Sequence, residues 1–339
     1  MRNEQPSMLK IAHRAQVSAM TVSRVLNHSA AVSESTRAKV LQIAGEMGYR
    51  HYPNAISRML RGERSRSIGV LACFARPHLA GEAMHRIGKV LFDSDYVSYI
   101  VDTYSDPAVT LRALKTLAER RAEGVIYYSY NREAVNEDIS RLLQQIGSAV
   151  IITLERQTLP FHQIYCGWDP GVREVVRYFA ACGSRCPVML KESRNEECCR
   201  VFESACRESG FRRWKVVTCS SSRIAESPEF RKGLPGDAIF CSSEHFRQSV
   251  LERTDGGRSI PVTMLLDDFL ISQLRPDYPV LRRREPEAGV QAVKLLIDQI
   301  DGRQTEPVTV SLPMQFMEKV PTVFGETLNE ETAIKGIGR

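Results

Sequence analysis

The sequence predicts a small all-α helix-turn-helix head and a larger α/β body of two doubly wound, parallel-sheet lobes. Three observations support this fold class. Residues 7–48 contain three short amphipathic patterns separated by turn signals. From residue 67 onward, short apolar runs alternate with helical patterns, as expected for buried parallel strands and their crossover helices. The remaining length, about 270 of the 339 residues, is too large for one simple core and favours two lobes.

The head begins with two short helices joined by a tight turn at residues 16–17. Ser7 can cap the first helix, and Ser18 can cap the second, Ala19–Leu26. The apolar residues expected to face inward are Leu9, Ile11, Ala12, Ala15, Val22, Val25 and Leu26. The second helix leaves small or hydrogen-bonding residues facing outward: Ala19, Met20, Thr21, Ser23 and Arg24. A short helix, a tight turn and a second helix with an uncharged, exposed N-terminal end fit the major groove of DNA.

A third helix closes the head. Ser33 can cap it, and Gly45 and Gly48 mark its end. Its apolar residues, expected to cover the first two helices, are Val40, Leu41, Ile43 and Ala44. Taken alone, the pattern also fits a plain helical bundle without a nucleic-acid partner.

The run VSAMTVSRVLNHSAAVSESTRAKV, continued by GYRHYPNAISRMLRGERSRSIGVL, resembles the DNA-binding head of the lactose-repressor/galactose-repressor (LacI/GalR) family. It follows the signature V-S-x-x-T-V-S-R-V-L-N…V-S-x-x-T-R-x-K-V almost without a gap. Two residues depart from the family pattern: Lys10 stands where Asp is usual, and Gln16 where Gly is usual. If that turn requires a positive φ, Gln16 costs about 1 kcal/mol.

The charge distribution favours nucleic-acid binding independently of the resemblance. Up to residue 64 there are ten Lys and Arg against four Glu, a net charge of +6. The whole chain also has a net charge of +6, so the rest of the chain is neutral in sum. A basic module on a neutral body is typical of proteins that bind the phosphate backbone.

The head, residues 1–50, is followed by a predicted hinge at 51–65. His51-Tyr52-Pro53 interrupts the helical pattern, and Asn54 can cap a short segment, residues 55–61. The resemblance implies a hinge helix in the minor groove, with Leu60 as the wedge and Arg61 as the neighbouring cation. The alternative is that Leu60 is an ordinary linker residue. The candidate DNA contacts are therefore Ser7, Ser18, Ala19, Met20, Thr21, Ser23, Arg24, Asn27, Asn54, Ala55, Leu60 and Arg61.

The body is predicted to extend over residues 66–330, followed by a tail at 331–339. Its expected strands are SIGVLACF, VSYIVDTY, GVIYYS, AVIITL, QIYCG, PVMLK, KVVTC, DAIFCS and VTMLLD. Its expected helices lie near 81–92, 107–121, 133–145, 171–182, 196–208, 245–253 and 287–301. No G-x-G-x-x-G follows the first strand and no P-loop is present, which argues against nucleotide-cofactor enzymes.

The body also resembles, more loosely, the effector domain of the same family, which has the periplasmic-binding-protein fold. The matching segments include AEGVIYYS, CGWDPG, GDAIFCSSE, LLDD and EAGVQAVKLLIDQIDG. The resemblance implies lobes that are discontinuous in sequence. We place one near 66–166 plus 286–314, and the other near 167–285 plus 315–330.

Ligands bind such folds between the lobes, at the carboxyl ends of the strands. A sugar needs planar hydrogen-bonding groups and an aromatic face, and the candidates at strand ends are Phe74, Arg76, Tyr104, Ser129, Glu155, Trp168, Ser243 and Asp267. The resemblance assigns Asp267 as an acceptor for sugar hydroxyls. It also places Cys198 where the family has its ligand-clamping Arg. A thiol cannot make the bidentate contacts of a guanidinium, so either Arg194 or Arg200 replaces it or the usual ligand is not bound.

We therefore expect a cytoplasmic, sequence-specific transcriptional regulator, most simply a repressor. Its expected partners are double-stranded operator DNA, a sugar-like effector and a second copy of the chain, because each head reads only one half-site. Two alternatives remain: a sugar-handling enzyme, for which we find no catalytic constellation, and a regulator whose pocket has lost its ligand. Nine cysteines without zinc-site spacing indicate free thiols, and neither a cofactor nor a membrane segment is expected.

Overall fold

A computed structural model describes residues 7–26, 31–49, 64–73, 77–129, 135–192, 196–219 and 236–321. The chain divides into two compact units, residues 1–65 and 66–339. Residues 51–63 of the predicted hinge, the polar stretch 220–230 and the predicted tail lie outside the described residues.

The head contains three helices, α1 (Met8–Ala15), α2 (Ala19–Leu26) and α3 (Glu34–Glu46). The predicted caps are confirmed. The Ser7 hydroxyl accepts from the backbone N–H of Lys10, and the Ser33 hydroxyl accepts from that of Thr36. Gln16 ends α1 in the left-handed region, at φ 56° and ψ 43°, so the predicted positive φ of the turn is also confirmed. The buried core of the head consists of Ile11, Ala12, Ala15, Val22, Val25, Leu26, Val40, Ile43 and Ala44.

Two leucines that we expected in this core are exposed. Leu9 has a relative exposure of 73% and Leu41 of 45%. A helix turns roughly 100° per residue, which places each leucine beyond the edge of the buried stripe on its helix. The prediction was wrong for both residues because apolar character was given more weight than angular position.

The first lobe is built on a six-stranded parallel sheet in the order β11-β5-β4-β3-β1-β2. Its strands are β1 (Ser67–Ala72), β2 (Val97–Asp102), β3 (Gly124–Ser129), β4 (Ala149–Thr153), β5 (His162–Tyr165) and β11 (Thr309–Ser311). Its helices are α4 (Pro77–Asp93), α5 (Pro107–Glu119), α6 (Glu137–Ile146) and α11 (Glu285–Ile300). Helices α4 and α11 pack on one face of the sheet, where Gly289 lets them approach closely. A Cβ at that position would lie 2.8 Å from the Ile87 side chain.

The second lobe is built on another six-stranded sheet, in the order β12-β10-β9-β8-β6-β7. Its strands are β6 (Pro187–Lys191), β7 (Lys215–Thr218), β8 (Ala238–Cys241), β9 (Val262–Leu266), β10 (Val280–Arg282) and β12 (Gln315–Met317). They run parallel except β12, which pairs antiparallel with β10. Its helices are α7 (Gly171–Ala181), α8 (Glu196–Glu208), a 3-10 turn (Glu244–Phe246), α9 (Arg247–Arg253) and α10 (Asp268–Leu274).

The predicted fold class is confirmed, and the predicted strands and most of the helices agree with the structure to within a few residues. The predicted helix at 133–145 is shifted and occupies Glu137–Ile146. Four short elements were not predicted: α10, β10, β11 and β12. The chain crosses between the lobes three times, after β5, after β10 and after β11. Each crossing leaves a strand at its carboxyl end, so both sheets present these ends to the boundary between the lobes.

Candidate functional site

Helix α2 presents a mixed surface at its N-terminal end. The Ser18 hydroxyl accepts from the backbone N–H of Thr21 at 3.0 Å, which satisfies a backbone donor of the first turn. Met20 is 64% exposed and Arg24 is exposed, so both can contact a partner. Ala19, Thr21 and Ser23 are half-buried, and Ala19 packs against the core. The candidate contacts on this helix therefore include exposed and half-buried side chains, with Met20 the most prominent.

Two arginines of the head pair with glutamates. Arg14 pairs with Glu46 at 3.1 Å, and both side chains are about half exposed. Arg37 lies 3.6 Å from the carboxylate of Glu34, and its own side chain is 19% exposed. An exposed pair such as Arg14–Glu46 contributes little to stability, so a phosphate group can compete for Arg14 at small cost.

The remaining predicted DNA contacts, Asn27, Asn54, Ala55, Leu60 and Arg61, lie outside the described residues, and so do Phe74, Arg76 and Arg194. These residues stay predictions from the sequence.

Of the predicted effector contacts, Asp267 and Ser243 lie at strand ends as expected, but each also has a structural role. Asp267 follows β9 and is the N-cap of α10. Its Oδ1 accepts from the backbone N–H of Leu270 at 2.7 Å. Ser243 follows β8 and donates to Oε1 of Glu192 at 2.8 Å. His245 Nδ1 lies 2.9 Å from the same carboxylate oxygen. A polar cluster of Glu192, Ser243 and His245 therefore lies at the carboxyl ends of β6 and β8.

Glu155 is half-buried just beyond β4, whereas Trp168 and Cys198 are enclosed in the apolar core of the second lobe. Trp168 is 2% exposed and Cys198 is fully buried, with its Sγ 4.0 Å from the sulfur of Met189. Burial raises the pKa of the Cys198 thiol well above its usual value. Both side chains are therefore packed in the core of the second lobe, and their assignment as effector contacts stays a prediction.

A charged cluster that sequence reasoning missed lies at the second crossing. Arg282 donates to both oxygens of Asp268, at 2.5 and 2.7 Å, to Glu287 at 2.8 Å and to Gln315 at 3.2 Å. Burial alone lowers the pKa of Arg282, but the hydrogen bonds and charges of Asp268 and Glu287 outweigh it and raise that pKa. This guanidinium joins β10, β12 and α10 of the second lobe to the first turn of α11 in the first lobe. The charged run RRREPE was the available signal in the sequence.

The same crossing buries a second acid. Glu285 is 5% exposed, and its carboxylate lies 3.5 Å from Nη1 of Arg283. Burial, assisted by the charges of Asp267 and Asp268, raises the pKa of Glu285 to about 7, although Arg283 acts in the opposite direction. Desolvation therefore outweighs the ion pair at this residue.

A hydrogen bond that joins the two lobes was also missed. The hydroxyl of Tyr165, at the end of β5, donates to Oε1 of Glu197 in the first turn of α8. The guanidinium of Arg156 lies 4.6 Å from the centre of the tyrosine ring. Nothing in the local sequence pattern indicates this pair, because the two residues are 32 positions apart.

Across the described ranges, no group of three or more His, Cys, Asp or Glu side chains is arranged to hold a metal ion. Within the same residues, no helix is long and apolar enough to span a membrane.

Comparison with known proteins places these features in context. Residues 7–54 match the model of the family described as "Bacterial regulatory proteins, lacI family". The chain is 23% identical to the HTH-type transcriptional regulator RegA of Clostridium saccharobutylicum, over 94% of this chain and 99% of that protein. Its fold is similar to that of a lac repressor dimer bound to operator and the anti-inducer ONPF, with a TM-score of 0.71 and 18% identity over 93% of this chain and 98% of that one. It is also similar to the transcriptional regulator CelR in complex with cellobiose, with a TM-score of 0.60 and 20% identity over 93% of this chain and 100% of that one.

Proposed function

Because the chain belongs to the LacI/GalR family of transcriptional regulators, we propose that it is a repressor that binds a near-palindromic operator as a homodimer. We further propose that a small polar metabolite, a sugar or sugar derivative, controls its operator affinity. The observation that carries the DNA-binding part is the helix-turn-helix geometry with an exposed, uncharged N-terminal end on α2.

In this proposal α2 enters the major groove and Met20 contacts base edges, where an apolar side chain favours the methyl group of thymine. Arg24, one turn further along the helix, contacts a base edge or a neighbouring phosphate. The Ser7 and Ser18 caps fix the ends of α1 and α2, and the charge of the head supplies binding that does not depend on sequence.

The test is a random-site selection with the full chain. Replacing Ala19 and Met20 together should change the preferred operator and leave non-specific binding nearly intact. Leu41→Ala, which alters an exposed apolar residue on α3, is the matched control and should keep the wild-type preference. A double variant that selects the wild-type site would show that α2 does not read the bases.

The first lobe offers a surface for the second copy. Large apolar side chains are exposed around the open edge of β2: Phe92 (77%), Val97 (63%), Ile100 (49%) and Tyr104 (72%). A groove with a volume of about 570 Å³ lies along this edge beside α5. We therefore expect Ile100→Asp to shift the full chain toward monomer in sedimentation velocity. Phe269→Asp, which replaces an exposed residue of the second lobe, should leave the oligomeric state unchanged.

The effector part of the proposal is supported by the two sets of strand ends at the lobe boundary and by the cluster of Glu192, Ser243 and His245. The Glu192 carboxylate already accepts a hydrogen bond from the Ser243 hydroxyl, and the hydroxyls of a polyol make charge-assisted bonds of the same kind. Operator binding should be titrated against a panel of sugars, sugar acids and sugar phosphates. A shift with one compound identifies the effector.

One observation favours a second candidate function, a regulator that responds to a protein partner or to no ligand. Cys198 replaces a guanidinium of the family pattern, and its thiol is sealed in the core. If no compound in the panel changes operator affinity while the operator itself is bound, this second function replaces the first.

A further inference from the structure

Tyr165 and Glu197 belong to different lobes. Tyr165 is the last residue of β5 in the sheet of the first lobe, whereas Glu197 lies in the first turn of α8, which packs on the sheet of the second. Both are at carboxyl ends of strands or just beyond them, where the lobes meet. Their hydrogen bond is therefore a non-covalent connection between the two lobes.

The position of the tyrosine ring depends on the absence of a side chain at residue 167. A Cβ built on Gly167 would lie 2.2 Å from Cζ of Tyr165 and 2.3 Å from its hydroxyl oxygen. On another side, the Arg156 guanidinium lies 4.6 Å from the ring centre, a distance at which a cation is attracted to the ring. Tyr165 is 3% exposed. The ring therefore lies against the backbone of Gly167 and beside the Arg156 cation.

The tyrosine hydroxyl is the donor of this hydrogen bond at ordinary pH. Burial, and then the hydrogen bond to Glu197, raise the pKa of Tyr165 far above its usual value. The hydroxyl therefore keeps its proton and acts as the donor, and the glutamate oxygen is the acceptor. A hydroxyl donating to a carboxylate is also the bond that a polyol would make with a protein acid.

We propose that the Tyr165–Glu197 hydrogen bond is a built-in latch that holds the two lobes together in the absence of an effector. The tyrosine hydroxyl takes the place of a ligand hydroxyl on Glu197, so an effector whose hydroxyl binds Glu197 has to compete with it. This inference concerns regulation of the cleft and rests on the proposed function for its biological meaning. The latch itself can be measured without operator or effector.

The experiment is hydrogen–deuterium exchange with mass spectrometry on the full chain, combined with small-angle scattering. Tyr165→Phe removes only the hydroxyl and keeps the ring. We expect amide exchange to rise roughly ten-fold or more in peptides covering the end of β5 and the start of α8, the scale that corresponds to losing one hydrogen bond to a charged group. We also expect an increase in the radius of gyration, because the lobes separate.

Gly167→Ala tests the same latch by another route. It leaves both partners in place and displaces the ring, so it should reproduce the exchange pattern of Tyr165→Phe. Tyr178→Phe is the matched control: Tyr178 lies on α7 against Phe316, within the second lobe, and losing its hydroxyl should not change exchange at the lobe boundary. Near-ultraviolet circular dichroism confirms that each variant is folded.

The proposal is overturned if folded Tyr165→Phe exchanges like wild type at both peptides, or if exchange rises equally throughout both sheets, which would indicate general destabilisation. Failure of operator binding in the random-site selection would overturn the proposed function and leave the exchange result standing. The two outcomes are therefore distinguishable.

Discussion

Arg282 is predicted to contribute more to the stability of the body than any exposed ion pair of the chain. Its side chain is 9% exposed and that of Asp268 is 3% exposed, and the two share a bidentate contact. Arg282→Met preserves much of the volume but leaves the Asp268 carboxylate buried without its cation. Removing one partner of a buried pair costs about 3–5 kcal/mol, most of it the penalty of the orphaned charge.

The assay is guanidinium unfolding of the full chain followed by tryptophan fluorescence. Both tryptophans, Trp168 and Trp214, lie in the body, so the signal does not report on the head. With an m-value of about 6 kcal/mol/M, a loss of 3–5 kcal/mol lowers the midpoint by about 0.5–0.8 M. Arg141→Met is the control, since Arg141 and Asp138 form a pair with 73% and 64% exposure. That pair should contribute at most about 1 kcal/mol.

A second substitution separates charge from packing. Adding Asp268→Asn to Arg282→Met removes the orphaned charge and should restore part of the lost stability. Equal midpoints for Arg282→Met and Arg141→Met would refute the reasoning, and so would a double variant less stable than Arg282→Met alone.

Three further predictions follow from single residues. The pKa of Glu285 is about 7 in the folded protein and about 4.5 in the unfolded chain, so its stabilising contribution is complete below about pH 4.5 and is lost as the pH rises to 7. Between pH 5 and 8, the free energy of unfolding of Glu285→Gln should therefore rise by about 2–3 kcal/mol relative to wild type, measured by unfolding experiments at stepped pH. Parallel pH profiles of the two proteins would contradict this. Gln16→Gly should stabilise the head by about 1 kcal/mol, because φ is 56° there, which hydrogen exchange of α1 amides can measure; unchanged protection would show that the turn is not strained. Asp267→Ala should cost about 1 kcal/mol through loss of the α10 cap, whereas Asp267→Asn should keep the cap, and equal losses in thermal unfolding would argue against this role.

The sequence was sufficient for features that depend on neighbours along the chain. Ser7, Ser33 and the left-handed Gln16 are local, since a cap or a turn is decided within four residues. The long buried strands were equally clear, because a short, continuous apolar run between helical patterns indicates a strand that is buried on both faces of a parallel sheet. Strands of three residues, such as β10 and β11, carry no periodic signal and were missed.

The site was harder to predict because its contacts are not local. The Tyr165–Glu197 pair is 32 positions apart, and it depends on a glycine that sequence reasoning treated as part of a matching motif. Cys198 is a different case. At 3.6 residues per turn it shares a face with Phe202, Ala205 and Cys206, so helical periodicity already indicated burial. The resemblance had directed attention to its position in the family pattern instead.

The Arg282 cluster and the Tyr165–Glu197 pair connect the two lobes in different ways. Arg282 and Glu287 are five residues apart across a crossing, so a change in the angle between the lobes alters their separation little. Tyr165 and Glu197 are 32 positions apart, so their contact depends on how the two lobes pack rather than on the chain between neighbouring residues. The Arg282 cluster therefore spans the second crossing itself, whereas the latch runs from the last residue before the first crossing to a helix that is distant in sequence. It follows that Arg282→Met should lower the unfolding midpoint without reproducing the local exchange pattern of Tyr165→Phe, and that Tyr165→Phe should loosen the lobes with a much smaller loss of stability. If both variants instead gave the same exchange pattern, the Arg282 cluster and the latch would form one cooperative unit and this division would be wrong.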